Sequence, residues 1–349
     1  MLVILIPGAV LYLNEGTQTM KNEGIELGYK DRSFLLKGFG LLLLLVGFTG
    51  AVFGPLEMYA FNLFTEGGRF HYPGFGFGSF MFGLIAVQIM GYYVIALICI
   101  PLGYGHWMVR RWICRVMLTL LWSWLILGIP LLIAFLVMLI ASKESTGLLD
   151  FLLVPLVPAA YLVVPALLIW FYSSESVRMT FAARDHNQNW IDQQPIPILV
   201  LSFLYFVYLL ALLSLTFFNG IFPFFGVFLV DMAGYGLITF SVIWLAILIW
   251  GTILRKRWAW WGALGTFGLL TISSILTLSR YSWADLLSLM KFAETELDAL
   301  SGMPLQGFHF IPVVGIPLLL TLVVILYSRR YFGVRSSNRI ENQSPAESN

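Results

Sequence analysis

The sequence predicts an all-α membrane protein, a polytopic bundle of about eight transmembrane helices with both ends of the chain in the cytoplasm. Three observations predict it: the composition, the apolar stretches, and the distribution of lysine and arginine. Hydrophobic residues make up 59% of the 349 residues and charged residues only 11%, whereas a soluble domain carries about 25% charged residues. So large an apolar surplus does not fit inside a water-facing core, and we expect the excess to face lipid.

The apolar stretches give the number of spans. A helix needs about 20 mostly apolar residues to cross about 30 Å of hydrocarbon. Eight stretches qualify: 34–53, 77–104, 114–141, 151–172, 196–217, 224–252, 259–278 and 311–328. In the fourth stretch, Pro155, Pro158 and Pro165 remove backbone donors, so we expect a kink in that helix.

The basic residues give the orientation. With the N-terminus inside, the inner segments hold 16 of the 20 lysines and arginines, and the outer segments hold only Arg69, Lys143, Arg280 and Lys291. An excess of lysine and arginine in short loops marks the cytoplasmic side. An odd number of spans would break this alternation, so the charges support eight spans with both termini inside.

The terminal segments lie outside the predicted transmembrane domain, which covers residues 34–330. Residues 1–33 form a cytoplasmic N-terminal segment that opens with thirteen apolar residues. These reach only about 20 Å as a helix, too short to span, and they lack the basic region of a cleavable signal peptide. We expect residues 1–19 to be an interfacial segment or to precede the natural start at Met20. The polar tail, 331–349, is expected to be disordered.

Similar sequences at two inner corners raise the question of an internal repeat. The second span ends in MVRRWICR and the sixth in ILRKRWAWW, and the fourth and eighth spans end in WFYS and ILYS. These marks suit two four-helix halves, 34–172 and 196–328. Alternatively, basic residues with tryptophan are what any inner membrane boundary requires. The sequence leaves both interpretations open.

Two loops carry patterns of their own. The outer segment 282–301 begins with Ser282 and Asp285 in a capping-box-like arrangement, and helical spacing aligns Leu286, Met290, Ala293, Leu297 and Leu300. It predicts an outer amphipathic helix, acting as a connector or as a lid or docking helix. The inner loop after the fourth span predicts a short helix with Val177 and Phe181 on one face.

Few ionisable side chains lie within the apolar stretches. A charge inside a membrane costs about 2.5–3.5 kcal/mol on insertion scales and marks a candidate functional site. Asp231 is the only acidic residue inside an apolar run, either buried about 12 Å along a helix that starts at Pro223 or placed at the outer headgroups. Gln88, with Tyr92 one turn further on, is a second candidate; its alternative role is a hydrogen bond between helices.

The first outer loop has the most unusual composition in the chain. Glu57, Arg69 and His71 lie there among aromatic residues and glycines, and His309 also precedes the outer end of a span. These four side chains form a candidate polar cluster on the outer face. Two imidazoles with one carboxylate are in principle a metal site, but the ligand spacing of known metal motifs is missing. We therefore predict no metal and expect a packed aromatic rim.

The remaining motifs exclude several function classes. The net charge of +2 argues against nucleic acid as a partner. The chain lacks the HExxH, GxSxG and Walker A patterns, and Cys99 and Cys114 form no CxxC pair. We therefore predict no catalytic residue and no cofactor, and an enzyme is the less favoured class.

Three functions stay open. The favoured one is a non-enzymatic membrane component that acts as a partner or assembly protein, because the span interiors are poor in charge and the loops are short. The second is a transporter or permease that uses a polar site near Asp231 and Gln88. The third is a membrane enzyme that uses the outer polar cluster. The expected partners are the lipid bilayer and other membrane proteins, and the expected location is a bacterial-type cytoplasmic membrane.

Overall fold

The computed structural model describes residues 30–72, 75–76, 78–141, 156–290, 292, 296–297 and 307–333. Within this part the chain is 81% helical and has ten α-helices, eight of them long and apolar enough to cross a membrane. The prediction of an eight-span helical bundle is therefore confirmed. The N-terminal segment 1–19 and the tail after residue 333 lie outside the described residues.

The first half of the chain forms three long helices, a fourth span, Leu156–Ser173, that ends in a regular α-helix, and one short inner helix. They are α1 (Ser33–Phe64), α2 (Phe80–Trp107), α3 (Trp112–Ala141), α4 (Val164–Ser173) and α5 (Glu175–Arg184). A π-helical turn, Ala159–Val163, leads directly into α4. Pro158 precedes this turn and Pro165 follows it, which places the irregular backbone where the sequence predicts a kink.

The second half contains four long helices, a β-hairpin and a short outer helix. They are α6 (Ile196–Ser214), β1 (Phe222–Phe224), β2 (Val227–Leu229), α7 (Asp231–Ile253), α8 (Arg257–Leu278), α9 (Trp283–Met290) and α10 (Gly307–Ser328). The helix α9, with Glu296 and Leu297 also helical beyond it, occupies the place of the predicted outer amphipathic helix.

The first span is longer than predicted. We expected it to end at residue 53, but α1 continues through Pro55 to Phe64. A membrane helix tolerates an internal proline because neighbouring helices and local adjustments satisfy the freed carbonyl. Glu57 therefore lies on α1 and not in an outer loop.

A row of glycines joins α1 to α2. Gly40, Gly47, Gly50 and Gly54 are buried on one face of α1. A Cβ atom built on Gly40 would lie 2.9 Å from the carbonyl oxygen of Gly103 on α2. Only small residues permit such close backbone approach between membrane helices. The other side of α1 exposes leucine, valine and phenylalanine side chains, as a lipid-facing helix should.

Two apolar cores are connected through α3. One core packs residues of α1 to α5 around Tyr172 and Phe181, and the other packs α6, α7, α8 and α10 around Tyr205 and Phe267. Helix α3 packs on α4 in its own group and on α6 and α10 in the other. The inner helix α5 buries Val177 and Phe181, the two residues that the sequence places on its apolar face.

The two inner corners with similar sequences also have similar backbones. Each passes through one residue with positive φ: Val109 at 50° after α2, and Arg255 at 53° after α7. The next N–H in each corner donates to the carbonyl of a helical glycine, Gly105 at 2.8 Å in the first and Gly251 at 2.9 Å in the second. This shared geometry suits the division into halves 34–172 and 196–328, which stays a prediction.

The sixth span begins later than predicted. We expected a helix from residue 224, but the chain first forms the hairpin β1–β2, in which Phe222 pairs with Leu229. The turn residues Phe225 and Gly226 have φ of 42° and 92°, as a two-residue hairpin turn with the right twist requires. Helix α7 then begins at Asp231.

Hydroxyl groups of α8 hold the hairpin turn. Ser273 Oγ accepts a hydrogen bond from the N–H of Phe225 at 2.8 Å, and Thr277 Oγ1 accepts one from the N–H of Gly226 at 2.9 Å. Both hydroxyls belong to buried residues, so the turn amides are satisfied without water. A bundle helix thereby fixes a segment that hydropathy alone assigns to a span.

Candidate functional site

Glu57, Gln88 and Tyr92 form a hydrogen-bonded trio on the outside of the α1–α2 pair, which we call the outer-edge trio. The side-chain nitrogen Nε2 of Gln88 donates to Glu57 Oε2 at 3.2 Å and to the hydroxyl oxygen of Tyr92 at 2.6 Å. Gln88 is exposed, and the other two side chains are half-buried. Gln88 therefore bridges α1 and α2, which is the alternative role that the sequence left open for it.

The length of α1 sets the depth of the trio. Lys37 is exposed near the inner start of α1, where the basic residues collect. Twenty residues separate Lys37 from Glu57, which corresponds to about 30 Å of helix, the thickness of the hydrocarbon core. The outer-edge trio consequently lies at the outer boundary of the hydrocarbon, with Phe53 one turn deeper and its ring 5.9 Å from that of Tyr92.

The trio keeps hydrogen-bonding capacity that its own members do not use. Glu57 Oε1 and Gln88 Oε1 accept no hydrogen bond from any described residue, whereas both protons of the Gln88 amide are engaged. A carboxylate accepts about four hydrogen bonds and an amide oxygen two. The free capacity is almost entirely that of an acceptor, so the matching group is a donor or a cation.

Asp231 lies at the outer end of a span and not inside it. It is the first residue of α7, has a φ of 54°, and exposes its side chain. Its N–H donates to the carbonyl oxygen of Asn219 at 3.0 Å, which fixes the start of the helix. Of the two placements considered from the sequence, the structure has the interfacial one.

The other candidates of the outer face lie on separate elements. Arg69 and His71 are exposed in the turn that follows α1, where the His71 ring hydrogen-bonds the carbonyl of Glu66. His309 is the third residue of α10 and is half-buried. Among the residues that the structure describes, no three histidine, cysteine, aspartate or glutamate side chains are placed to hold a metal ion.

His106 is a buried polar residue that the sequence reasoning missed. Its Nδ1–H donates to the carbonyl oxygen of Leu102 at 2.7 Å, so its Nε2 accepts from the hydroxyl of Tyr172 on α4, also at 2.7 Å. Both side chains are fully buried. This pair connects α2 to α4 near the inner boundary. A single histidine near a span end, without a second polar residue at helical spacing, gives no sequence signal for such a bond.

Gln194 connects the two inner corners. Gln194 accepts hydrogen bonds from both sides: its carbonyl oxygen from Arg115 Nη1 at 2.5 Å, and its side-chain oxygen from Arg255 Nε at 3.0 Å. Burial lowers the pKa of Arg255. At the start of α1, the backbone N–H of Ser33 and, less strongly, Arg184 lower the pKa of Asp31. These contacts order the inner loops.

Comparison with known proteins assigns no family to the chain. No protein-family model matches it, and no curated protein or solved structure matches it. The outer-edge trio is therefore interpreted from its own geometry: a hydrogen-bond acceptor site presented outward at the membrane boundary.

Proposed function

We propose that the chain is a non-enzymatic partner protein of a bacterial-type cytoplasmic membrane, which binds another integral membrane protein through the outer edge of the α1–α2 pair. The observation that carries the proposal is the outer-edge trio, in which Gln88 is exposed and Glu57 half-buried, and whose Glu57 and Gln88 oxygens keep unused acceptor capacity. Polar side chains on membrane helices commonly bond across helix–helix interfaces, and ionisable ones are costly when left facing lipid.

The chemistry of the trio favours one kind of occupant. The free groups are a carboxylate oxygen and an amide oxygen, so the partner helix needs a donor at the outer boundary, such as lysine, arginine or tryptophan. Tryptophan is enriched at both membrane–water interfaces, whereas a lysine or arginine at the outer boundary would add a complementary charge. A bond from such a donor to Glu57 stabilises the complex most where lipid excludes water, because the local dielectric is low there.

A second copy of this chain is a poor occupant. A two-fold dimer brings the same patch of each subunit together, so a contact centred on Glu57 would place two carboxylates side by side. Like charges at short distance oppose ionisation of both groups. The trio therefore favours a different protein with a complementary charge.

The position of α1 makes the docking face accessible. Helix α1 packs mainly along α2, and its other side exposes Val52, Phe53, Leu56 and Met58 around the trio. A helix from a partner can therefore lie along this apolar side and reach Glu57 without displacing a described helix. The alternatives find less support: Asp231 and Gln88 are both exposed, and the candidates of the outer polar cluster are spread over α1, the turn after it and α10.

Photocrosslinking in native membranes tests the proposal. Phe53 is 44% exposed beside the trio, and Phe240 is 65% exposed on α7, so benzoylphenylalanine at each position gives a test probe and a matched control. We expect the Phe53 probe to capture one other membrane protein, within a transmembrane segment that carries a donor side chain. The Phe240 probe should not capture it.

Substitution of the carboxylate connects the adduct to the proposed bond. Glu57→Gln keeps the side-chain volume and removes the charge, and we expect it to reduce the Phe53 adduct several-fold while the protein still elutes as a single species. Adducts only to lipid, only to a second copy, or equally from both probe positions would contradict the proposal. An adduct unchanged by Glu57→Gln would also contradict it.

A further inference from the structure

Arginines of two inner elements collect at the beginning of α3. Arg111 and Arg115 are one helical turn apart, and Arg178 lies on α5. Val177, the neighbour of Arg178 on α5, packs in the same core as Ile113 of α3, and Asp185 at the end of α5 accepts the N–H of Arg111. Arg115 interacts electrostatically with both of the other arginines and with Asp192 of the turn Trp190–Gln193. Three guanidinium groups therefore lie close together, with Asp192 among their neighbours. We call Arg111, Arg115 and Arg178 the inner arginine cluster.

The neighbouring carboxylate, Asp185, is already occupied. Its Oδ2 accepts the N–H of Arg111 at 3.1 Å, its Oδ1 accepts the N–H of Asn187 at 3.1 Å, and Arg110 lies 3.8 Å away. Asp185 is only 4% exposed, so it caps the beginning of α3 from inside the protein. It is not free to neutralise the cluster.

Two members of the cluster keep all their side-chain donors. Within the described residues the ion pairs are Arg110–Asp185 and Arg184–Asp31, and neither includes a member of the cluster. The guanidinium groups of Arg111 and Arg178 donate no hydrogen bond to a described residue, while Arg115 donates to Gln194. A guanidinium group presents five donors in a planar fork that matches a phosphate.

The membrane depth of the cluster indicates the source of that phosphate. The first turn of α3 opens a helix long and apolar enough to span, so its side chains lie at the inner headgroup region. Anionic phospholipids of the cytoplasmic leaflet place phosphates there. We infer that the inner arginine cluster binds the phosphate of an anionic phospholipid, with Arg115 fixed by Gln194 and with Arg111 and Arg178 completing the contact.

The experiment titrates the purified full chain, in neutral detergent, with phosphatidylglycerol and with phosphatidylcholine, and counts bound lipids by native mass spectrometry. An arginine near a membrane surface strengthens binding about fivefold. We therefore expect Arg111→Gln/Arg178→Gln to weaken phosphatidylglycerol binding roughly 25-fold. Arg330→Gln removes an exposed charge at the inner end of α10 that is not a member of the cluster, and because salt screens separated exposed charges it should change this binding less than about twofold.

The controls separate the possible results. Arg178→Gln alone removes a side chain without a described hydrogen bond, so it carries the test with an expected fivefold loss if the double variant does not fold. Equal losses for Arg178→Gln and Arg330→Gln would show diffuse surface charge and overturn the inference. Equal binding of the two lipids would do the same. Displacement of phosphatidylglycerol by millimolar inorganic phosphate would assign the cluster to free phosphate and overturn the lipid assignment.

Discussion

Replacing Gly40 by alanine tests the close packing of α1 on α2. The added Cβ atom would lie 2.8 Å from the Cβ of His106 and 2.9 Å from the carbonyl oxygen of Gly103. Ordinary contacts of a Cβ atom begin near 3.4 Å, so the neighbours must retreat by about 0.5 Å. The carbonyl oxygen belongs to the backbone of α2, which no side-chain rotation can move away. The two helices therefore have to separate locally.

The expected cost follows from overpacking. Inserting one extra methyl group into a well-packed site costs about 1–3 kcal/mol, and Gly→Ala in a helix returns up to about 1 kcal/mol through the lower backbone entropy of alanine. We expect a net loss of about 1–2 kcal/mol for Gly40→Ala. Gly38 has no atom within 4 Å of its added Cβ, so Gly38→Ala should be neutral or stabilising.

Reversible unfolding in mixed micelles measures both variants against the natural chain. The matched pair changes the same residue type on the same helix, two positions apart, so differences in helix propensity cancel. If the two variants have the same free energy of unfolding, the close approach of α1 and α2 is refuted.

Three further predictions concern single polar contacts. Tyr172→Phe leaves the buried Nε2 of His106 without its donor, so we expect a loss of about 1–3 kcal/mol, measured as a lower unfolding free energy. Thr277→Val removes the acceptor of the Gly226 amide and should raise hydrogen exchange there by at least tenfold; unchanged exchange would contradict it. Ser282 donates hydrogen bonds to Asp285 at the beginning of α9, and these bonds lower the pKa of Asp285. The bonds are therefore complete above the ordinary carboxyl pKa and are lost as the pH falls through the lowered pKa of Asp285. The NMR shift of the cap amide should titrate with a midpoint below 3.8, and a midpoint at or above that value would refute the bond.

Hydropathy and charge predict most of the bundle because both depend on single residues and their spacing. The eight spans follow from the length of apolar stretches, and the inner helix α5 follows from Val177 and Phe181 at helical spacing. The outer helix α9 follows from the Ser282–Asp285 cap, which the structure shows as a hydrogen bond of 2.7 Å. Each of these features is encoded within one local segment.

The features that the sequence reasoning missed depend on contacts between distant segments. The hairpin before α7 is apolar enough to resemble a span, and its turn is satisfied only by Ser273 and Thr277 of another helix. The extension of α1 past Pro55 depends on packing against α2. Gly83 and Gly91 look equivalent in sequence, yet a Cβ on Gly83 would lie 2.7 Å from Phe218, whereas Gly91 has open space.

The candidate site was only partly predictable for the same reason. Gln88 and Glu57 both stand out as polar residues, but the sequence assigns one to a span and the other to an outer loop. Their bond at 3.2 Å exists because α1 continues as a helix and the glycine row brings it against α2. The hydrogen bond between Gln88 and Glu57 is a property of the α1–α2 contact and not of either segment alone.

The most direct test of the proposed partner function is a cryo-electron microscopy map of the protein extracted from its native membrane into lipid nanodiscs. We expect helical density from a second protein along the exposed side of α1, with a donor side chain within hydrogen-bond distance of Glu57. Lipid density alone over the outer-edge trio, or a second copy of the chain placed there, would contradict it.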